Sequence, residues 1–318
     1  IETERTSLIY QVADNGRLYQ KYLGKKLNHD SDIQYLPQGT EAYLTHGMED
    51  YFEPAIHIRH NDNNSSLLLK YVDHSSNAID NGVNETVITL KDDKYPVTVK
   101  LHYVAYGKEN IIRTFTEISH EEKKPVILCK YASSMLHLNS SKYFLTEFSG
   151  DWAHEANVTE RELSFGKKVI DTKLGARANM FVSPFFQLAL DNPSQENAGE
   201  VLVGTIGWTG NFRFTFEVDN KNELRIISGI NPYDSEYSLP AKEVFRTPDF
   251  YFTYSTQGKG EASRNFHDWA RNHQVKNGND TRMTLLNNWE STYFDFDENK
   301  LIGLMDEATK LGVDMFLL

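Results

Sequence analysis

The sequence predicts a mainly β protein, with a large N-terminal β-sandwich followed by a helix and by the first βαβ unit of a truncated (β/α)8 barrel. Three observations predict this order. Aromatic-rich runs separated by turn residues fill the first two thirds, helical periodicity begins only near Gly260, and residues 285–318 have the pattern of strand, helix and strand. We therefore expect a sandwich at 1–258, a helix and linker at 259–280, and the barrel start at 281–318.

The first predicted hairpin is SLIYQVADNGRLYQKYLG, residues 7–24. Asn15-Gly16 separates two aromatic-rich runs, and both residues tolerate the positive φ angles of a type I′ turn. We therefore expect two strands at the start of the chain, joined by a two-residue turn.

The second predicted hairpin is ETVITLKDDKYPVTVKLHYVAYG, residues 85–107. Its second strand alternates between apolar and polar positions, which indicates a sheet with one face in the core and one in water. The positions predicted to face the core are Val97, Val99, Leu101, Tyr103 and Ala105. Further strands are predicted in EVLVGTIGWTGNFRFTFEVD, NELRIISGI and DFYFTYSTQG.

The pattern becomes helical in GEASRNFHDWARNHQV. Ala262, Phe266, Trp269 and Ala270 recur at helical spacing and form one apolar stripe. The polar segment VKNGNDTRM has turn chemistry and is predicted to be a linker.

The last residues predict one βαβ unit. TLLNNW is a short buried strand, the spacing from Asp295 to Glu298 matches a capping box with Asp in place of Ser or Thr, and Gly312 ends the helix. The apolar run VDMFLL is typical of a parallel strand covered on both faces. A lone βαβ unit cannot bury both faces, so we expect a fragment whose barrel is incomplete. We expect residues after about 280 to be poorly ordered, rearranged against the sandwich, or buried against another copy.

Composition excludes several classes of protein. The formal net charge of the 318 residues is −12, which disfavours nucleic acid as a partner because phosphates would be repelled. No apolar run is long enough to span a bilayer, so no membrane partner is predicted. Cys129 is the single cysteine, so no internal disulfide forms. The chain begins at Ile1 and not at Met, which indicates processing or cleavage, but nothing in it indicates a compartment.

Self-contained catalytic motifs are absent from the sequence: it has no G-x-S-x-G, P-loop, H-E-x-x-H or C-x-x-C. His57 and His60 lie in HIRHND, but in a strand they point to opposite faces, so a strand edge is favoured over a metal site. Cys129 lies in a strand-like run and is predicted to be an inert, buried thiol. We predict no metal and no cofactor.

Three tryptophans lie beside turn residues, where a sugar could reach them: Trp152 in EFSGDWAHE, Trp208 in GWTGNFRF and Trp289 in NNWE. For any one of them, packing in the core is the more common role. Trp289 is the stronger candidate, because it ends the first strand of the barrel, where (β/α) barrels place their active sites. With Asn288 and Glu290 it would offer a ring for the apolar face of a sugar and polar groups for its hydroxyls.

NNWESTYFDFDENKL closely resembles the opening of the catalytic barrel in α-galactosidases of glycoside hydrolase family 36. Four further segments resemble that family's N-terminal β-sandwich and follow one another in the family's order: GDWAHE, GTIGWTGNFRFTFEVD, SGINPYDSEYSL and RTPDFYFTYSTQG. The resemblance covers most of the chain. It implies a retaining exo-α-galactosidase that hydrolyses terminal α-linked galactose with two carboxyl groups about 5–5.5 Å apart.

The resemblance also implies which residues take part. Both catalytic aspartates of the family lie on later barrel strands, so this chain would carry no catalytic residue and would be inactive by itself. Substrate-binding roles are implied for Trp289, for Trp152, which in some members reaches a sugar site of a neighbouring subunit, and for Asp50 in HGMEDYFEP. Relatives often have a basic residue soon after this Asp, whereas here Phe52 and Glu53 follow. Asn288 is a further substrate-binding candidate, although it could equally brace the end of the strand.

Two alternatives remain open from the sequence. The sandwich could be a non-catalytic module that binds carbohydrate or forms homo-oligomers, since it is rich in aromatics and presents Trp152. The parent protein could instead act on α-N-acetylgalactosamine or transfer galactose, because the residues that select the sugar lie mostly in the later barrel. The expected partners are α-galactoside oligosaccharides and possible further copies of the chain.

Overall fold

The structure is a computed structural model, and it describes residues 1–48, 52–178 and 180–318, except the side chain of Asp30. The strands of these residues are, in chain order, β1 (Thr6–Val12), β2 (Leu18–Lys25), β3 (Thr40–Glu41), β4 (Ile56–Arg59), β5 (Leu69–Asp80), β6 (Val83–Asp92), β7 (Val97–Tyr106), β8 (Ile111–His120), β9 (Val126–Asn139), β10 (Tyr143–Ser149), β11 (Asn157–Glu162), β12 (Gly166–Asp171), β13 (Val182–Leu190), β14 (Val201–Gly207), β15 (Phe212–Val218), β16 (Glu223–Ile230), β17 (Tyr237–Leu239), β18 (Val244–Arg246), β19 (Asp249–Ser255), β20 (Leu285–Asn287) and β21 (Met315–Leu317).

Helices are few and fall mainly near the C-terminus. The α-helices are α1 (Gly258–Trp269), α2 (Trp289–Thr292) and α3 (Glu298–Lys310). Two 3₁₀ helices span Asp30–Tyr35 and Gly175–Arg177, and a π-helical turn spans Ala270–Gln274. None of the helices that the structure describes is both long and apolar enough to span a membrane.

Two antiparallel sheets face each other and form the predicted sandwich, so the predicted fold class is confirmed. The described strands of the larger sheet lie in the order β11-β10-β13-β14-β19-β8-β7-β6-β5, with β18 also on β8. Those of the smaller lie in the order β12-β15-β16-β9-β17, with β4 also on β9. β1, β2 and β3 form a third sheet.

Aromatic rings fill the space between the two large sheets. The alternation in β15 turns three phenylalanines inward, as period-two patterning predicts. Phe186 of the larger sheet packs on Phe214 and Phe216 of the smaller one, with ring centroids 5.2 and 4.9 Å apart. Gly204 leaves room for these rings, because a Cβ atom there would lie 2.6 Å from Phe186 and 2.7 Å from Phe250.

The two predicted hairpins form, but the first turn differs from the prediction. The positions predicted to face the core in β7 are all buried. Gly16 has a φ of 78°, whereas Asn15 does not have a positive φ, and the N–H of Gly16 donates to the carbonyl oxygen of Ala13. The type I′ prediction is therefore wrong. The loop is a turn with an i to i+3 hydrogen bond followed by a left-handed glycine, which suits the longer connection from Val12 to Leu18.

The described chain divides into two compact units, Ile1–Trp269 and Ala270–Leu318. Helix α1 belongs to the first unit and lies on the outer face of the larger sheet. Trp269 packs on Tyr251 with a centroid distance of 4.6 Å, and Asn265 donates to the Thr253 hydroxyl over 2.9 Å. The domain boundaries at 258 and 280 stay a prediction.

The second unit contains a parallel pair, β20 and β21, joined through α3, as the sequence predicts. Within the unit both strands are mostly exposed, so the prediction that they are buried is wrong. The N-cap of α3 is Asp297 and not Asp295, because the Asp297 side chain accepts from the N–H of Lys300 over 2.9 Å. Gly312 ends the helix at a φ of 79°, as predicted. The expectation that this segment is poorly ordered, rearranged against the sandwich or buried against another copy stays a prediction.

Candidate functional site

Trp152 lies at the tip of the hairpin formed by β10 and β11, at one edge of the larger sheet. Backbone hydrogen bonds hold this tip: the N–H of His154 donates to the Asp151 carbonyl oxygen, and that of Gly150 to the Phe181 carbonyl oxygen, each over 2.9 Å. A Cβ atom at Gly150 would lie 2.1 Å from the His154 carbonyl oxygen, so only glycine fits at the base of the turn. The turn is thus a fixed support for the indole ring.

The indole ring of Trp152 projects from this support, and 85% of the residue is exposed. Trp208 and Trp289 are also exposed, by 41% and 42%, while Trp269 is buried. Core packing, the more common role of a tryptophan, is therefore not the role of these three residues. An exposed indole offers a flat apolar face and one N–H donor, which suits a ligand that is apolar on one face and rich in hydroxyls at its edge.

Trp289 begins α2, two residues beyond the end of β20. Its backbone N–H donates to Asn287 Oδ1 over 2.7 Å, which fixes the turn at the end of the strand. Asn288 is 4% exposed, and its Nδ2 donates to Thr292 Oγ1 over 2.9 Å. In this unit the Asn288 side chain braces α2, and its predicted contact with substrate stays a prediction.

Two neighbouring aromatics extend the surface of Trp289, and sequence reasoning missed them. Tyr293 and Phe294 meet the Trp289 ring edge to face, with centroid distances of 5.6 and 4.8 Å. Tyr293 has a φ of 47°, unusual for a residue other than glycine, and this sharp turn directs the chain back toward the tryptophan. The aromatic spacing in WESTYF was the available signal.

Asp50 lies outside the described residues, so its predicted role stays a prediction. Phe52 and Glu53, which follow it, are described. The ring of Phe52 lies 3.7 Å from the Arg225 guanidinium carbon, and Arg225 pairs with Asp219 over 3.2 Å. Glu53, the next residue, also has close contacts.

Glu53 connects its segment to three strands of the smaller sheet. Its carboxylate oxygens lie 2.5 Å from Lys130 Nζ and 2.7 Å from Lys167 Nζ, and its backbone N–H donates to Glu217 Oε2 over 2.8 Å. Burial alone would raise the pKa of Glu53, but the two lysines outweigh it and lower that pKa to about 2. The carboxylate therefore fixes the chain at Glu53, three residues after Asp50.

The histidines and the cysteine do not form a metal site. His57 stacks on His46 with a centroid distance of 4.0 Å, while Nδ1 of His60 lies 2.7 Å from Glu122 Oε1. Among the described residues, no cluster of three or more His, Cys, Asp or Glu side chains could hold a metal ion. Partial burial raises the pKa of the Cys129 thiol, which disfavours the nucleophilic thiolate.

Two family models match the chain in succession. The model described as glycosyl hydrolase family 36 N-terminal domain matches residues 16–240, and the model described as melibiase matches residues 244–318. Among curated relatives, an α-galactosidase of Lactobacillus acidophilus is 26% identical over 355 residues, covering 100% of this chain and 48% of the relative. The α-galactosidase AgaA of Geobacillus stearothermophilus is 30% identical over 257 residues, covering 80% of this chain and 34% of the relative.

Solved structures agree with these matches. The α-galactosidase AgaB of Geobacillus stearothermophilus is 26% identical with a TM-score of 0.88, over 99% of this chain and 48% of that one. A variant of AgaA crystallised with raffinose is 24% identical with a TM-score of 0.92, over 100% of this chain and 49% of that one, and shows likeness of fold. The chain spans about half the length of the first curated relatives it matches.

Proposed function

Because this chain belongs to glycoside hydrolase family 36, we propose that it is the N-terminal part of a retaining α-galactosidase that removes terminal α-linked galactose from oligosaccharides. The observation that carries this proposal is the tandem match, in which the sandwich and the barrel start occur in one chain in the family's order. The relatives named above are α-galactosidases, and a Geobacillus stearothermophilus enzyme was crystallised with raffinose.

In the proposed reaction, one carboxylate attacks the anomeric carbon and a second carboxyl group protonates the leaving oxygen. Water then hydrolyses the galactosyl-enzyme, with the second group now acting as base. We assign both carboxyl groups to barrel strands that follow β21, by resemblance to the family. The 318-residue chain by itself is then expected to show no turnover, because nucleophile and acid would be missing together.

Substrate binding is assigned to residues of both units. Trp289, extended by Tyr293 and Phe294, offers an apolar wall at the end of β20, where (β/α) barrels bind their substrates. Trp152 offers a second exposed ring on a rigid turn, and we propose that it contacts a sugar bound by a neighbouring subunit of a homo-oligomer.

The test compares the full-length gene product with the 318-residue chain on a nitrophenyl α-galactoside and on its α-N-acetylgalactosaminide. We expect the full-length protein to hydrolyse the first substrate with retention of configuration and the shorter chain to hydrolyse neither. Turnover by the purified shorter chain, above that of a mock preparation from the same host, would contradict the assignment of the carboxyl groups. Preference for the N-acetylated substrate would contradict the assignment of galactose.

A second candidate function is a binding module without catalysis, which the 85% exposure of Trp152 on a braced turn favours. It predicts that the 318-residue chain binds galactosides through Trp152, while the full-length gene product shows no turnover. Hydrolysis by the full-length protein would exclude it as the main function.

A further inference from the structure

Three loops meet at one end of the smaller sheet, and none of their residues has been assigned a role above. They are residues 172–178 after β12, residues 208–211 before β15 and residues 231–236 after β16. Asp171 pairs with Arg213 and Phe212 pairs with Ile230, so the three strands that carry these loops are direct neighbours. Since adjacent strands lie about 4.8 Å apart, the loops form one continuous rim.

Two asparagines tie this rim together. Asn231 is fully buried; its Nδ2 donates to the Thr172 carbonyl oxygen over 3.0 Å and its Oδ1 accepts from the N–H of Tyr233 over 3.1 Å. Asn211 Oδ1 accepts from the N–H of Gly175 over 2.7 Å. These hydrogen bonds hold the three loops in one arrangement, which lowers the entropy cost of binding a ligand.

Two aromatic rings stand exposed on the rim. Tyr233 is 59% exposed, with Lys173 Nζ 5.3 Å from its ring centroid, and Trp208 is 41% exposed. Gly210 allows the position of the indole, because a Cβ atom there would lie 2.6 Å from Trp208 Nε1. Within the part of the chain that the structure describes, neither the indole N–H nor the Tyr233 hydroxyl has a hydrogen-bond partner.

Charged side chains beside these rings are paired with one another. Asp171 Oδ2 accepts from Arg213 Nη2 over 2.9 Å and from Lys173 Nζ over 3.2 Å, and Asn231 Nδ2 lies 3.2 Å away. Burial opposes ionisation, but the Arg213 and Lys173 hydrogen bonds keep the pKa of Asp171 below its ordinary value. Such a cluster offers oriented hydrogen-bonding groups with little unpaired charge, which suits a neutral ligand rich in hydroxyls.

We propose that this rim is a second carbohydrate-binding site, separate from the residues assigned to the reaction, with Trp208 and Tyr233 stacking on sugar rings and the Asp171 cluster bonding hydroxyls. The choice of neutral α-galactoside oligosaccharides as ligands rests on the proposed function. A site of this kind holds an oligosaccharide on the sandwich while other residues process its end, so it raises the local concentration of substrate.

The test titrates the 318-residue chain with stachyose, followed by calorimetry and by tryptophan fluorescence. We expect saturable binding with a Kd of about 1 mM, the range of weak single sites. Trp208→Ala and Tyr233→Ala should each weaken it about tenfold, as loss of an aromatic anchor does. Tyr35→Ala and Phe165→Ala are matched controls, since each removes an exposed ring that belongs neither to the rim nor to the residues assigned to substrate, and should leave this binding unchanged.

Unchanged melting temperatures for all four variants establish that binding, and not folding, is measured. If Trp208→Ala lowers the melting temperature, the double variant Asp171→Asn/Tyr233→Ala is tested in its place, because neither of these substitutions removes volume from the core. Absence of saturable binding, or binding that depends on Trp152 or Trp289 and not on Trp208, would overturn the proposal. Hydrolysis by the full-length protein is measured separately, so binding without turnover would count only against the proposed function, and turnover without rim binding only against the second site.

Discussion

Replacing Glu53 by Gln tests whether the ion pairs of this residue stabilise the sandwich. The carboxylate lies between Lys130, which is 12% exposed, and Lys167. Gln keeps the volume and can still hydrogen-bond, but it removes the charge. Because burial already lowers the pKa of Lys130, loss of its partner leaves a largely buried ammonium without compensation.

The magnitude follows from the lowered pKa of Glu53, from 4.5 to about 2. At about 1.4 kcal/mol per unit this corresponds to about 3 kcal/mol before screening. The side chain of Glu53 is 26% exposed, so solvent screening reduces the figure, and we expect Glu53→Gln to cost about 2 kcal/mol at pH 7. For a unit of this size the melting temperature should fall by about 4–6 °C.

The sign of the pH dependence is fixed by the direction of the shift. A carboxyl group with a depressed pKa contributes stability above its unfolded pKa of 4.5, and that stability is lost as pH falls toward 2. The difference in melting temperature between wild type and Glu53→Gln should therefore shrink by about two fifths between pH 7 and pH 3.5.

Thermal unfolding followed by circular dichroism measures both quantities. Glu243→Gln is the control, because Glu243 is exposed and its carboxylate has no partner among the described residues. The double variant Glu53→Gln with Lys130→Met should recover much of the loss, since it removes the unpaired ammonium. A Glu53→Gln effect below about 1 °C at pH 7, or one of equal size at pH 3.5, would refute the reasoning.

Three further predictions concern other parts of the chain. Gly204→Ala should destabilise the sandwich by about 1–3 kcal/mol, because rigid Phe rings surround the site. Gly303→Ala, with open space around it, should stabilise α3 by about 0.5–1 kcal/mol. Thermal unfolding measures the first effect and hydrogen exchange of residues 298–310 the second, and effects of the same sign would contradict the reasoning. Burial lowers the pKa of His137 from 6.5 to about 3, so between these pH values the unfolded chain takes up a proton that the folded chain does not, and the free energy of unfolding decreases as the pH is lowered. His137→Gln should make this decrease smaller between pH 7 and pH 5, and an unchanged slope would count against the reasoning. In the full-length protein, Trp289→Ala should lower kcat/KM about tenfold or more without changing the melting temperature of the sandwich, and an unchanged kcat/KM would remove Trp289 from the substrate site.

Local pattern predicted the strands well because alternation and core packing agree in this chain. In β15 the inward positions are Phe212, Phe214, Phe216 and Val218, and the three phenylalanines are fully buried. Turn and cap details were less predictable, because several local solutions fit one sequence. Asn15-Gly16 suits a type I′ turn, but the pairing of Val12 with Leu18 sets a longer connection. The spacing after Asp295 suits a capping box, but Asp297 is the residue that caps α3.

In the candidate sites, too, local sequence indicated some residues and missed others. Trp152 and Trp289 could be selected from the sequence, because Gly-Asp and Asn-Asn beside them indicate turns. The presence of Trp208 and Tyr233 on one rim could not, because it depends on β12, β15 and β16 being neighbours. The turn residues around Trp208 indicated a loop, but no local signal indicates which other loop accompanies it.

The resemblance implies a basic residue soon after Asp50, and the charges around Glu53 favour the acidic residue that this chain carries there. A basic side chain at this position would face Lys130 and Lys167 at about ion-pair distance and would repel both. The negative charge of Glu53 thus balances the positive charges of Lys130 and Lys167. Glu53→Lys alone should therefore destabilise the sandwich more than Glu53→Gln does. Glu53→Lys with Lys130→Glu restores an opposite-charge pair and should be more stable than Glu53→Lys alone. Equal melting temperatures for the single and double variants would mean that these lysines do not favour an acidic residue at position 53.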